Sequence, residues 1–427
     1  MARVVIIGGG WAGCGAALSA KAAGAEEVIV LERTDCLLGT GLVGGIYRNN
    51  GRQTAAEEAI AMGAGDLFKL MDSVARHKNV DFPGHKHANL YDVSLMEPTV
   101  LRYLREKGID VRLMHRVSDV QHTNGKVTGV MVDDYGLVEG DVFIETTGTA
   151  GPQANCIKYG NGCAMCTLRC PSFGGRVSIA GKMGIVEKMG KKADGSIGAM
   201  SGSCKLHFDS ISPEIARQLH ETGCAVVPLP KELIHSDKLA SKACQQYALP
   251  EFAENVVLLD TGHVKLMTPF FPLEDLRKVP GMENSRYEDP YSGGIGNSMR
   301  YLALSPRDDT LKVVGAENLF CAGEKAGLLV GHTEAVVTGI LAGHNAVRYV
   351  KGLPLKTIPT SLAIGDAITH VREQMETEEG MGMKFTFSGA QYFKRMQALG
   401  LYLTDPAEVQ KRVAEAGMTD FFGKPVQ

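Results

Sequence analysis

The sequence predicts an α/β fold built on a parallel sheet, and three observations predict it. Val4-Val5-Ile6-Ile7 is a β-branched run of the kind that forms a buried parallel strand. It leads straight into Gly8-Gly9-Gly10-Trp11-Ala12-Gly13-Cys14-Gly15-Ala16-Ala17, a glycine turn followed by small residues that suit a helix packed tightly on that strand. Val28-Ile29-Val30-Leu31-Glu32 is a second strand, and it ends in an acid. Strand, glycines, helix, strand and carboxylate fall in order within about thirty residues, the setting in which Gly-x-Gly-x-x-Gly holds a dinucleotide.

Each residue of that unit has a physical task. Gly8 permits the turn, Gly10 lets the backbone approach a pyrophosphate, and Gly13 lets helix and strand touch. Trp11 and Ala12 open the helix, whose unpaired N–H groups and positive dipole end suit phosphate. Glu32 is placed to accept from ribose hydroxyls, with Arg33 beside it.

Composition narrows the class. The chain has 427 residues, 22% charged and 44% hydrophobic, which suits a globular protein of two or three domains. A formal net charge of -3 supplies no overall basic field, so nucleic acid is not an expected partner. No run of about twenty apolar residues exists to span a bilayer. The first strand starts at Arg3, leaving no room for a signal peptide. Ten cysteines, four of them crowded together, suit a reducing compartment, and a cytoplasmic location is expected.

After the first unit, Leu38-Gly39-Thr40-Gly41-Leu42-Val43-Gly44-Gly45 reads as a glycine-rich loop, either near the cofactor through Gly44 or a surface linker. A helical region is expected from about Thr54 to Ala75. His77 to Asp92 reads as a polar loop whose His85 and His87 are solvated rather than metal ligands, since no third ligand is evident. Pro98 is placed at a helix N1, and Gly108 ends that helix. A hairpin is expected from Val117–Gln121 and Val127–Val132 about Asn124-Gly125. The strand Val142–Glu145 then runs into Thr146-Thr147-Gly148-Thr149, a pattern that often marks the return of a chain to a flavin-binding domain.

The middle of the chain reads as an inserted mixed α/β domain. Ser212-Pro213-Glu214 starts a helix, and Val256–Thr261 and His263–Met267 read as strands. Lys182, Lys188, Lys191 and Lys192 form a basic cluster, read as a solvated loop in preference to a phosphate site. Leu319-Phe320-Cys321-Ala322-Gly323-Glu324 returns as strand, glycine and acid, and Gly331-His332-Thr333-Glu334 opens a long helix. Gly323 and Glu324 are expected at the middle of the cofactor. The helix start at Gly331, His332 and Thr333 is expected at the flavin edge where negative charge collects on reduction. His332 either lines that pocket or donates a proton. Two grips, one near each end of the chain, favour FAD over a nicotinamide cofactor. The tail reads as helical, with Asp405-Pro406-Ala407-Glu408 a strong helix start and Tyr392, Phe393, Phe421 and Phe422 docking it.

Cys156, Cys163, Cys166 and Cys170 lie within fifteen residues, with Pro171 after the last. Cys163 and Cys166 could cycle between dithiol and disulfide. Cys170 could act as a nucleophile. All four could bind an iron–sulfur cluster such as [4Fe-4S], zinc is a further option, and inert thiols are the plain alternative.

These motifs resemble the glucose-inhibited division protein A family of tRNA-uridine-modifying flavoproteins and the related folate-dependent tRNA uridine methyltransferases. Gly8 to Ala17 is similar to the family's start, where His replaces Trp11. Thr146-Thr147-Gly148-Thr149, Val279-Pro280-Gly281-Met282-Glu283-Asn284 and Glu334-Ala335 with Gly339, Leu341-Ala342-Gly343 and Asn345-Ala346 resemble its later segments. Cys170-Pro171-Ser172 resembles the site where the family places a functional cysteine. The chain differs in having Phe173-Gly174-Gly175-Arg176 after that motif, in lacking the family's Cys-Asn-Pro near Gly44-Gly45, and in its shorter tail.

The resulting expectation is an FAD-binding Rossmann-like fold of the glutathione-reductase type. The FAD domain spans 1–150 and 301–350, an inserted substrate domain with the cysteine cluster spans 151–300, and a helical tail spans 351–427. The expected function is an FAD-dependent oxidoreductase passing two electrons between flavin, the cysteines and a small-molecule substrate or an electron-transfer protein. Two alternatives stand beside it: a flavin-dependent tRNA-uridine-modifying enzyme, and an FAD/iron–sulfur subunit of a larger complex. Homo-oligomer and complex subunit are both left open.

Overall fold

The computed structural model describes residues 2–148, 173–192, 195–200, 203–236, 247–268, 271–288, 299–300 and 302–426. The cysteines at 156, 163, 166 and 170 lie outside the described residues. The strand β1 (Arg3–Ile7) is central in a five-stranded parallel sheet with β2 (Glu27–Leu31), β3 (Asp110–Arg112), β4 (Val142–Glu145) and β9 (Leu319–Cys321), in the order β9-β4-β1-β2-β3. In register, Val4 faces Val28 on one side and Val142 on the other. All four of Val4 to Ile7 are buried, as strands covered on both faces must be.

Helix α1 (Trp11–Ala22) packs on α4 (His332–Val350) through a seam of small residues. A Cβ added at Gly339 would lie 2.2 Å from the Ala12 carbonyl oxygen, and one at Gly343 2.2 Å from that of Ala16. Ser19 Oγ donates across the seam to Ile340 O at 2.7 Å. The first and last parts of the parallel-sheet domain are therefore in close backbone approach, which only a missing side chain permits.

Helix α2 (Gly51–Ala61) and the separate helix Asp66–Ser73 replace the single helical region expected there, with the break at Gly63 and Gly65. The segment expected as a polar loop is instead a hairpin, Ala75–Phe82 with His85–Tyr91. His85 is correspondingly buried rather than solvated; it stacks on Phe82 and bonds the Asn49 amide at 3.0 Å. Helix α3 (Val93–Glu106) starts well before Pro98, which lies inside it. Asp92 caps it by accepting from Ser94 N at 2.9 Å. The hairpin at Asn124-Gly125 has both turn residues at positive φ, 51° and 81°, and Gly136–Glu139 adds a third strand.

The second, antiparallel sheet holds β5 (Cys204–Leu206), β6 (Cys224–Pro228), β7 (Asn255–Asp260) and β8 (Val264–Leu266), in the order β5-β8-β7-β6. Its helix, Pro213–Thr222, is capped by Ser212 Oγ. Three of the four lysines expected in a solvated loop keep exposed or half-exposed side chains and pair there with surface acids: Lys188 with Glu376 at 2.8 Å, Lys191 with Glu378 at 2.6 Å, and Lys182 with Asp119 at 3.6 Å. The tail helices α5 (Ala363–Gln374), α6 (Ala390–Ala398) and α7 (Pro406–Glu415) dock on the body. Glu58 of α2 accepts from Ala363 N and Ile364 N at the start of α5, while Phe421 and Phe422 close on His344 of α4. Among the described residues no helix is long and apolar enough to cross a membrane.

Candidate active site

One cleft opens at the carboxyl ends of the parallel strands, where α/β sheets bind ligands. Gly8, Gly10, Trp11, Ala12, Glu32, Arg33, Gly44, Gly148, Gly323, Glu324, Gly331 and His332 all line it. Gly13 and Thr333 do not. A Cβ at Gly13 would fall 2.0 Å from Gly8 O, so its task is the close approach of helix to strand. Thr333 is fully buried behind the helix start.

At one end, Glu32 is buried and ties the glycine turn: Oε2 accepts from Gly9 N at 2.7 Å, and Oε1 accepts from Thr34 N and Oγ1 at 2.9 and 3.0 Å. Each oxygen has two lone pairs, leaving capacity for a hydroxyl donor. Gly8 adopts φ +106°, and a Cβ at Gly10 would meet no heavy atom within 4 Å. That empty space is on the cleft side of the turn.

At the other end, α4 begins at Gly331, φ +142°. A Cβ there would strike the Arg52 guanidinium and the Glu334 carboxylate, both 2.1 Å away. Arg52 donates from Nε to both Glu334 oxygens at 3.1 Å, and Glu334 also accepts from Phe387 N at 2.9 Å and Thr386 Oγ1 at 2.7 Å. This buried network anchors the helix start to α2 and to the tail. His332 rests on the glycine loop, since a Cβ at Gly44 would lie 1.7 Å from its Cε1.

The two helices aimed at the cleft share a feature. Neither Gly10 nor Gly331 supplies a side-chain cap, and α1 has no acid in its first turn. Uncapped N-termini leave backbone donors and positive dipole ends facing the cleft, one near Glu32 and one near His332. FAD presents a pyrophosphate and, at its far end, a ring edge that becomes anionic on reduction. The residues present fit it at both places.

Three buried thiols outside the crowded segment, Cys14, Cys224 and Cys321, are held in the protonated form. Burial and the nearby Glu32 carboxylate push Cys14 far above the usual thiol range, and burial pushes Cys224 and Cys321 up to about 12. Among the described residues no group of His, Cys, Asp or Glu could hold a metal ion.

Sequence reasoning missed Arg52 and Lys265 as cleft residues. For Arg52 no local signal exists, because its partner Glu334 is 282 residues away. Lys265 left one: a lysine between Val264 and Leu266 in a strand buried along its whole length.

A sequence profile described as "Glucose inhibited division protein A" matches residues 3–257 and 271–354. Among curated proteins, the methylenetetrahydrofolate--tRNA-(uracil-5-)-methyltransferase TrmFO of Dinoroseobacter shibae is 32% identical over 114 residues, 27% of this chain and 25% of that protein. The TrmFO of Bacillus pumilus is 34% identical over 101 residues, 23% of this chain and 22% of its own. These matches thus span about a quarter of the relatives' length. The crystal structure of Aquifex aeolicus GidA in form II superposes with a TM-score of 0.65 at 16% identity, covering 97% of this chain and 76% of that one, which shows a shared fold.

The relatives are tRNA methyltransferases by name, and this overturns the exclusion of nucleic acid drawn from net charge. Net charge sums the whole molecule, whereas a phosphate backbone responds to the local stripe of cations it touches.

Proposed function

The chain belongs to the glucose-inhibited division protein A family, and from that premise we propose that it is a cytoplasmic FAD-dependent oxidoreductase whose substrate is a uridine of tRNA. FAD supplies two-electron hydride chemistry. The observation that carries the reading is the family match across both walls of one cleft whose two facing helices lack a side-chain cap. The tRNA substrate is supported by the curated relatives.

In this reading Glu32 holds the adenosine ribose, and Gly10 with the α1 start holds the pyrophosphate. Glu324 lies along the middle of the cofactor, and the α4 start faces the ring. Arg52 and Glu334 keep that start in place, and His332 lines the ring pocket against Gly44. Cys170 is the nucleophile toward the uracil, with Cys163 and Cys166 a dithiol able to exchange electrons with the flavin.

The test is direct. The purified protein should be yellow with one FAD per chain, and filter binding to bulk tRNA should be tight at low salt. The affinity should fall steeply with salt, the slope of log K against log salt being about -0.7 to -0.9 per phosphate contacted. A flavin-free protein, or tRNA binding that ignores salt, refutes the reading.

A further inference from the structure

Lys265 stands in β8 with its side chain buried, 6% exposed, in the wall of the cleft. Its Nζ donates to the Val43 carbonyl and to Ser203 Oγ at 2.6 Å. In its charged form the amine has three donors, so one is left over. Among the described residues Lys265 forms no ion pair. Its neighbour across the ladder is Lys205, a second cation, which donates to Leu42 O at 3.1 Å. Burial, with Lys205 beside it and against the influence of Cys204, pushes the Lys265 amine down to about 7.

A buried cation without a counter-charge is strongly unfavourable. The cost is relieved by loss of the proton or by an anion, and a ligand anion in the cleft would hold the charged form. The position says which part of the ligand. Val43 precedes Gly44, the residue against which His332 rests at the start of α4, so Lys265 lies at the end of the cleft away from Glu32.

We infer that Lys265 is an anion-binding residue whose ligand is the negatively charged N–C=O edge of a conjugated heterocycle; this rests on the FAD and uridine reading above. Two sources offer that edge: the pyrimidine-side carbonyl of reduced flavin, and a uracil whose ring becomes anionic. The shared chemistry is a delocalised oxygen–nitrogen anion, which an ammonium in a low-dielectric wall holds better than water does. Lys265 positions and neutralises; it forms no bond to carbon.

The test compares FAD-loaded full-length protein with Lys265→Gln, which keeps a donor for Val43, and with Lys265→Arg, which keeps the charge. Lys265→Met serves if the Gln variant does not fold. FAD content is measured first, then the midpoint potential of the bound flavin, then affinity for uridine 5′-monophosphate and its more acidic 5-fluoro analogue. If flavin is the source, the Gln variant shifts the two-electron equilibrium at least tenfold toward oxidised flavin, a drop of about 30 mV, and Arg restores it. If uracil is the source, the potential holds and the preference for the 5-fluoro analogue falls at least threefold in Gln but not in Arg. Variants that keep FAD and change neither quantity overturn the inference and leave the FAD reading standing. Wild-type protein without FAD overturns both.

Discussion

Replacing Gly10 with alanine separates the two tasks a glycine can have. A Cβ there meets no heavy atom within 4 Å, and a φ of -68° is open to any residue. Two small effects then act on folding. Reduced freedom of the unfolded chain favours the variant by about 0.4–1 kcal/mol. Alanine is a poorer helix cap than glycine by about 0.5–1 kcal/mol. They cancel, so apo stability should stay within about 0.5 kcal/mol of wild type. The methyl enters the cleft that Gly10 lines. Pushing a phosphate oxygen off a backbone N–H costs a charge-assisted hydrogen bond, about 1.5–3 kcal/mol, or about a 10- to 150-fold rise in Kd for FAD. The assay titrates stripped protein with FAD, following quenching of flavin fluorescence, and unfolds both apo proteins in urea. A Kd within threefold of wild type would refute the placement of the pyrophosphate. An apo variant losing more than about 1 kcal/mol would show Gly10 to be structural instead.

Other expectations follow from the same geometry. Gly339→Ala should do the opposite, lowering stability by about 1–3 kcal/mol through overpacking against the Ala12 carbonyl; a urea midpoint equal to wild type would contradict the tight seam. Adding Gly343→Ala should cost less than its single effect, since both force the same helix shift. Glu334→Gln leaves the buried Arg52 guanidinium without this carboxylate and should cost about 3–5 kcal/mol in thermal melts, with part recovered in the Arg52→Met double variant. His344 is buried against Phe421 and Phe422, and burial, then Arg348, lowers it to about 4. The unfolded state binds the proton first, so this stability is whole above about pH 6.5 and falls with pH down to about 4, a loss of about 3 kcal/mol at most. In His344→Gln the slope of stability against pH over that window should flatten; an unchanged slope would assign it to another group.

What could be read in the chain beforehand was what neighbouring residues decide among themselves. The turn at Gly8, the hairpin at Asn124-Gly125 and the caps at Ser212 and Asp405 need only a few adjacent residues, and each was legible. The start of α3 was not: Pro98 suggested a helix start, while the operative cap, Asp92, is fixed partly by Arg76 from the neighbouring hairpin. The same hairpin looked like a loop because its polar residues face outward, and His85 is packed against Asn49, Phe82 and the distant Tyr247. The surface pairs of Lys188 and Lys191 had no local sign because their carboxylates, Glu376 and Glu378, lie nearly two hundred residues on. In the cleft, glycines and acids announced themselves by spacing. Lys265 had no such spacing, since its partner Val43 is 222 residues away, and only its place in a buried strand marked it.

The same two lysines have a kinetic consequence. Lys205 and Lys265 reach from the second sheet to carbonyls of the 39–43 turn, fastening one lobe to the rim of the other. In the FAD reading a long cofactor passes that rim on entering or leaving the cleft, so its exchange rate depends on how firmly the rim is held. Loosening the rim should speed exchange in both directions while leaving the strength of the grip at Gly10 almost untouched.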